Sequence, residues 1–450
     1  MSMAQFGNIC LATCAINLIA ALAFGEITYR ASLLPPFAVE DSEAVDISGN
    51  NVVGYIDELD DIFGNDLGAH ATIWHDSSTS VDLHPAGYEQ SKVSSVWGDT
   101  QVGAGYRYVN SVLSPLALMW NGSAESVINL HPSTASTSIA NDVYDNTQVG
   151  NIDHRAVLWQ GSVSSRVNLH PASGYAASDV YAIYENTQVG HGIVDSTSRY
   201  ALLWHGTAES VIKLHPMGFT SSFALDVYGD MQVGYGEKNI LTDERALLWR
   251  GTAESVVDLH PPEYGGNFAG SVAYATNGIQ QVGFASDNPF AYHFAYVWSG
   301  SAETAVNLQP FLSGLPILLF NSNAYSINED GVIVGSAVGV DGYHAVMWTP
   351  VLVGDYNGDG EVNAADYCVW RDSHGQTGPN LPADGNRDEE IDDADYVVWK
   401  QHFGESLTDE IGEGSAARAF THSALPEPDT VILITFVGLT ILLPTRTRRY

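Results

Sequence analysis

Lysine is scarce in this chain of 450 residues. Only Lys92, Lys213, Lys238 and Lys400 occur, and arginine raises the basic total to 17 against 53 aspartates and glutamates. A formal net charge of −36 repels phosphate backbones and excludes nucleic acid as a partner. Cysteine is also rare, with three in all. Cys10 and Cys14 lie in an N-terminal apolar stretch that reads as a leader. Cys368 is then alone, and no intramolecular disulfide is expected. Export remains compatible with that, since it does not require disulfides. Motifs for chemistry are missing too. There is no Gly-x-Ser-x-Gly elbow, no His-Glu-x-x-His helix and no phosphate-cradling glycine loop, so no catalytic set is assigned. Charged residues make up only 16%, whereas apolar residues reach 45% and glycine numbers 43. That mix suits a turn-rich, all-β protein with a large core.

What is abundant is one repeated phrase. It runs from Val-Gly through Ala-x-Leu-Trp-x-Gly-Thr-Ala-Glu-Ser to Val-x-Asn-Leu-His-Pro. Its tryptophans are Trp74, Trp120, Trp159, Trp204, Trp249, Trp298 and Trp348, spaced 39 to 50 residues apart. Repeats of about 40–50 residues built from short strands mark propeller blades. Each unit reads as four strands, with Asp142-Val-Tyr, Gln148-Val-Gly, Ala156-Val-Leu-Trp and Arg166-Val-Asn-Leu as one example. The recurrent glycines (Gly54, Gly103, Gly150, Gly190, Gly234, Gly283 and Gly335) suit a close backbone approach or a positive φ. The Val-x-Asn-Leu strand follows only the first six tryptophans. Tyr29–Pro36 aligns with Ser255–Pro262, setting Leu33 against Leu259. The expected fold is therefore an all-β, seven-bladed propeller whose last blade is closed by an N-terminal strand. Closure removes exposed sheet edges. Over residues 37–349 the phrase resembles the HAF-type extracellular repeat, which implies a propeller in a secreted protein. Leu-His-Pro stands where that family shows a glycine-rich turn.

Several repeated residues invite chemistry. His84, His131, His170, His215 and His260 occupy equivalent places, with Gln309 in the sixth. A metal ring is one reading. The other is structural, because equivalent blade positions lie far apart and a pre-proline residue is held extended for a turn. Glu125, Glu209, Glu254 and Glu303 repeat likewise, whereas a glycosidase needs two carboxylates converging on one bond. The repeat tryptophans read as core. Trp97 lies outside the repeat phase and is a candidate carbohydrate platform.

The strongest chemical signal follows the propeller. Residues 355–366 place oxygen side chains at alternating positions: Asp355, Asn357, Asp359, Asn363 and Asp366, with Glu361 offering its carbonyl. Gly360 supplies the sharp turn. Residues 384–395 repeat the pattern with Asp384, Asn386, Asp388, Asp392 and Asp395, and with Glu390 at the carbonyl place. Such spacing wraps hard oxygens around calcium, so two ions are expected. Each loop runs into a predicted helix, over 364–374 and 393–402. Glu389 replaces glycine at the turn of the second loop and predicts a weaker site there. Residues 354–404 resemble a type I dockerin. The resemblance implies folding on calcium and docking onto a cohesin-like protein partner. The family reads its partner partly at Ala364-Ala365 and Asp393-Ala394, and the difference between the copies departs from its dual binding mode.

Both ends carry targeting signals. The apolar run from Ile9 to Phe24 reads as a signal peptide over residues 1–25. At the other end Pro426-Glu427-Pro428 precedes an apolar stretch from Val431 to Leu443 and then Arg446, Arg448 and Arg449. Thirteen apolar residues are short for a bilayer span, and the arginines would stay cytoplasmic. This tail resembles the PEP-CTERM sorting signal. That implies cleavage by a sorting peptidase near Pro426–Pro428 and delivery to the bacterial surface or exterior. The expected organisation is a signal peptide (1–25), a propeller of seven repeats (26–352), a dockerin-like calcium module (354–404), a linker (405–424) and a sorting signal with a short transmembrane segment (425–450). The functional expectation is an exported surface or matrix protein with a non-catalytic propeller tethered through the calcium module. The alternative is a polysaccharide-degrading enzyme or carbohydrate-binding accessory, with extracellular polysaccharide as its partner.

Overall fold

The computed structural model describes residues 27–35, 41–58, 68–75, 79–238, 243–264, 269–287, 292–378, 381–386 and 388–407. The signal peptide, most of the linker and the sorting tail expected from the sequence lie outside them. Among the described residues no helix is long and apolar enough to cross a membrane.

Residues 27–352 form seven four-stranded antiparallel sheets arranged as a seven-bladed β-propeller. Blade 3 is representative, with strands Ser138–Tyr144, Thr147–Ile152, Arg155–Trp159 and Val167–Asn168 in spatial order. The first strands stand around the axis: Asp41–Ser48, Gln90–Trp97, Ser138–Tyr144, Ala177–Tyr184, Ser221–Tyr228, Gly270–Thr276 and Leu319–Ile327. Each contacts the first strand of the next blade, and the seventh contacts the first. The core lies between blades rather than within them. Between blades 3 and 4, for example, Val149, Leu158 and Leu169 pack on Val180, Ile183, Leu202 and Trp204. All seven repeat tryptophans are fully buried in such layers.

The seven-fold glycine has one cause. Every first strand carries a register shift of one residue, as between Ala140 and Asp142 or between Val180 and Ala182. The bulge drives a carbonyl oxygen of the first strand onto the glycine of the second. A Cβ at Gly54, Gly103, Gly150, Gly190, Gly234, Gly283 or Gly335 would overlap the carbonyl of Glu43, Lys92, Ile139, Asp179, Phe223, Val272 or Asn323, respectively. Close approach, not a positive φ, selects glycine here. The glycine after each of five tryptophans is different. Gly122, Gly161, Gly206, Gly251 and Gly300 have φ between +68° and +82°, and each donates its N–H to a buried glutamine of the preceding Gln-Val-Gly.

Residues Ile27–Leu33 pair antiparallel with Gly342–Leu352 and form the outer strand of blade 7. The register differs from the sequence alignment by one residue. Leu34, not Leu33, donates its N–H to Ala345, as Leu259 does to Ala246. Leu34 accordingly packs with Trp74 and Val334 between blades 7 and 1. A one-residue slip would put the wrong face of the strand inward, and burial of Leu34 decides the register.

Beyond the propeller, helix α1 (Ala364–Ser373) and helix α2 (Asp393–His402) follow the two acidic loops. Both begin at a capping box, Asn363 with Asp366 and Asp392 with Asp395. Their small core comprises Tyr356, Val362, Ala383, Ile391 and Trp399, together with Leu352 from the last propeller strand.

Candidate functional site

Two places gather polar groups that the fold alone does not demand. The first is the pair of acidic loops. In loop 355–366, Asp355 accepts from the N–H groups of Gly358 (2.7 Å), Asp359 (3.2 Å) and Gly360 (2.9 Å). Asn357 and Asp359 bond to each other's side of the turn, and Glu361 N–H donates to Asp359. Asp366 is fully buried and accepts from Tyr356, Asn357 and Asn363. Asn363 caps α1 through Ala365. Loop 384–395 repeats this pattern among its described residues. Asp384 accepts from Asp388 and Glu389; Asn386 bonds Asp388; Glu390 N–H donates to Asp388; Asp392 caps α2; and Asp395 is fully buried, accepting from Gly385, Asn386 and Asp392.

The two loops are tied to each other. Trp370 of α1 donates its indole N–H to the carbonyl of Asp392, and Trp399 of α2 donates to the carbonyl of Asn363, both at 2.8 Å. Glu389 has φ +68°, the left-handed geometry that Gly360 adopts at +86° in the first loop. Burial pushes the Asp355 carboxyl up from its ordinary range.

The donor set fits a hard cation. Asp355, Asn357, Asp359, Glu361, Asn363 and Asp366, with Asp384, Asn386, Asp388, Glu390, Asp392 and Asp395, offer only oxygens as ligands. Among the described residues none of these carboxylates pairs with a lysine or arginine. No three carboxylate, imidazole or thiol groups meet at one point among them either, since the oxygens turn onto backbone N–H groups of their own loops.

The second place is one mouth of the central channel, a cavity of about 460 Å³. Its rim is formed by the last residues of the first strands and the turns that follow. Trp97, Tyr144, Tyr184 and Tyr228 stand on blades 2 to 5 as a continuous arc, with ring centroids 4.4, 4.9 and 4.3 Å apart. The other side of the rim is polar. Asn277 donates to the carbonyl of Asn328, and Asn328 donates to that of Gly49. Tyr228 donates to Glu329 across blade 6, where a side chain on Gly278 would collide with its ring.

Below the rim stand Asp46, Asp142 and Asp226, at equivalent places on blades 1, 3 and 5. Each bonds the next blade through the N–H of Val96, Ile183 or Thr276. Ser326 and Ser95 donate to Asp46 and Asp142. Burial, and then the neighbouring aspartate charges, push Asp142 up to about 7 and Asp226 well above the carboxylate range. Burial raises Asp46 as well.

The repeated residues turn out to be joints. Nδ1 of His84, His131, His170, His215 and His260 lies 2.8–2.9 Å from a serine hydroxyl of the next blade: Ser91, Ser138, Ser178, Ser222 and Ser271. Those serines accept from Ala71, Ala117, Ala156, Ala201 and Ala246. Burial pushes the imidazoles of His131, His170 and His260 down, and that of His215 to about 4 with help from Lys213. They are joints between blades rather than one metal ring. The Ala-Glu-Ser tripeptides are 3₁₀ turns closed by their serine, and their glutamates carry no shared site. Trp97 is half-buried against Tyr144 in the rim of the channel. Sequence reasoning missed its three tyrosine neighbours and the three aspartates. A signal was present: Trp97, Tyr144, Tyr184 and Tyr228 each stand six residues before a repeat glycine, and the aspartates of blades 1, 3 and 5 stand eight before.

No protein-family model matches the chain, and no curated protein matches it. Solved structures do. The Pyrococcus horikoshii acylaminoacyl peptidase is similar over 71% of this chain and 53% of its own, at 11% identity and a TM-score of 0.45. A puromycin hydrolase covers 71% and 54%, at 9% identity and 0.46. A structure from work on two prolyl endopeptidases covers 74% and 52%, at 9% identity and 0.44. The chain thus spans about half the length of the solved structures it matches first. These likenesses concern the propeller fold. One expectation is corrected to this extent: neither the non-catalytic surface or matrix protein nor its polysaccharide-active alternative has a counterpart among these structures, whose names are those of peptidases and a hydrolase.

Proposed function

We propose that residues 354–404 are a dockerin-like module that binds two calcium ions and attaches the chain to a cohesin-like protein partner. The observation that carries this is the duplicated loop, with six oxygen-bearing residues in the same order twice and a fully buried aspartate closing each. Calcium, when bound, supplies the positive charge that these carboxylates lack. The chain's own residues do the rest. Asp355 and Asp384 hold the loop turns through their N–H groups. Asp366 and Asp395 anchor the helix starts, and the indoles of Trp370 and Trp399 strap each helix to the opposite loop. A segment of about 50 residues has little core, so metal binding and folding are coupled.

In the same reading the propeller is an HAF-type repeat domain whose ring is closed by Ile27–Leu33. The chain is exported through residues 1–25 and sorted through its PEP-CTERM-like tail.

Calorimetric titration of calcium into the full chain, followed by binding to a purified type I cohesin domain with and without chelator, tests the module. Two bound ions and calcium-dependent cohesin binding are expected. Absence of calcium uptake would remove the reading. Calcium uptake without cohesin binding would remove the partner and keep the metal.

A further inference from the structure

The channel mouth is asymmetric although the ring around it is nearly seven-fold. Aromatic rings occupy one half of the rim, on blades 2 to 5, and amides occupy the other. Nothing in propeller closure requires this. Blades 1, 6 and 7 close with Ser48, Asn277 and Asn328 at the same level. Among the described residues the lining includes five acidic side chains, Asp46, Asp142, Asp226, Glu329 and Asp330, and no lysine, arginine or histidine. Aromatic faces carry negative potential, and a cation beside them is attracted. The exposed carboxylates of Glu329 and Asp330 add to the same field, whereas burial holds Asp46, Asp142 and Asp226 toward their neutral form. An anion is excluded by that charge, and a bare metal ion by the extent of aromatic wall. A cavity of about 460 Å³ falls in the range of small-molecule sites.

We propose that this mouth binds an organic cation, a protonated or quaternary amine, seated against the Trp97–Tyr144–Tyr184–Tyr228 arc with the Glu329 and Asp330 carboxylates of blade 7 beside it. The proposal is independent of the calcium module. Tyr184 sits in the middle of the arc and touches two aromatic neighbours. Tyr228 closes the arc's end by reaching Glu329, which orients that carboxylate over the cavity. The cation can be a free small amine or the side chain of a lysine or arginine in a polypeptide, since both present the same chemistry.

Tetramethylammonium, spermidine, N-acetyl-lysine methylamide and methyl glucoside are titrated into the full chain at constant ionic strength. Heat is recorded together with indole fluorescence, in wild type and in Trp97→Phe. Saturable binding of the amines is expected, with a fluorescence change that Trp97→Phe removes while binding persists. Tyr184→Leu should weaken amine binding about tenfold, equivalent to about 1.4 kcal/mol. Tyr184→Phe, which keeps the ring, should bind nearly as wild type and controls for folding. Glu329→Gln should weaken it about threefold from an exposed position. Preference for the lysine derivative over tetramethylammonium assigns the source to a polypeptide, and the reverse assigns a free amine; both support the proposal. Binding of methyl glucoside without amine binding overturns it, as does amine binding unchanged in Tyr184→Leu, or no saturable amine binding at 50-fold molar excess and above.

Discussion

The indole N–H of Trp399 donates to the backbone carbonyl of Asn363 at 2.8 Å, linking the second helix of the C-terminal module to the end of the first acidic loop. Trp370 makes the mirror bond to Asp392. Each loop is therefore held from the side by the helix belonging to the other. Disturbing one loop loosens both.

Trp399→Phe tests that coupling. The substitution removes the indole bond to the half-buried Asn363 carbonyl and costs about 1 kcal/mol. Calcium affinity should fall in the first loop although Trp399 belongs to the second half. Calorimetry on the full chain reads it, and an effect confined to the second site would refute the strap.

Chelation should unfold residues 354–404 and leave the propeller folded, because the propeller's seven inter-blade layers do not involve the loops. Limited proteolysis with and without chelator is the measurement. Cleavage throughout residues 41–349 after chelation would contradict the separation.

Glu389→Gly should tighten the second loop. A non-glycine residue at φ +68° carries a cost of about 1–2 kcal/mol. Affinity there should rise by roughly fivefold or more, bringing the two sites closer together. Two equal sites in the wild type would contradict the strain.

Deleting residues 27–35 should expose the edge of blade 7 and strip Leu34 from the layer that holds Trp74. Aggregation or a loss of several degrees in Tm is expected. Gly190→Ala should be severe for another reason: its methyl group meets the Asp179 carbonyl on a bulged strand and has nowhere to go. Gly251→Ala, in open space at positive φ, should cost only about 1–2 kcal/mol.

The pH response is expected to carry two opposite terms. Burial, then Arg199, hold the His191 imidazole at about 4, whereas an unfolded histidine takes a proton near 6.5. Its contribution is whole above pH 6.5 and disappears as pH falls through 4. Asp142, pushed up to about 7, works the other way: its contribution is whole below about pH 4 and is lost as pH rises through 7. Tm measured from pH 4 to 8 should therefore fall less in acid for His191→Phe, and rise less in acid for Asp142→Asn, than in the wild type.

Much of this architecture was legible in the amino-acid order because the repeat is physical. A tryptophan every 39 to 50 residues is one buried indole per blade, and the Val-Gly before it is one bulge per first strand. The helices after the acidic loops fall within one residue of expectation, since capping boxes write helix starts locally. The one-residue register of Leu34 was not legible, because Leu33 and Leu34 look alike until one of them faces Trp74.

The sequence by itself determined the number of sheets, the order of strands and the oxygen-rich loops, all of which depend on neighbours within about 50 residues. Only the ring decided what meets at its axis. Asp46, Asp142 and Asp226 follow one another at intervals of 96 and 84 residues, and Tyr228 and Glu329 are 101 apart. They become one cavity because packing between blades, through layers such as that around Trp204, turns a linear repeat back on itself.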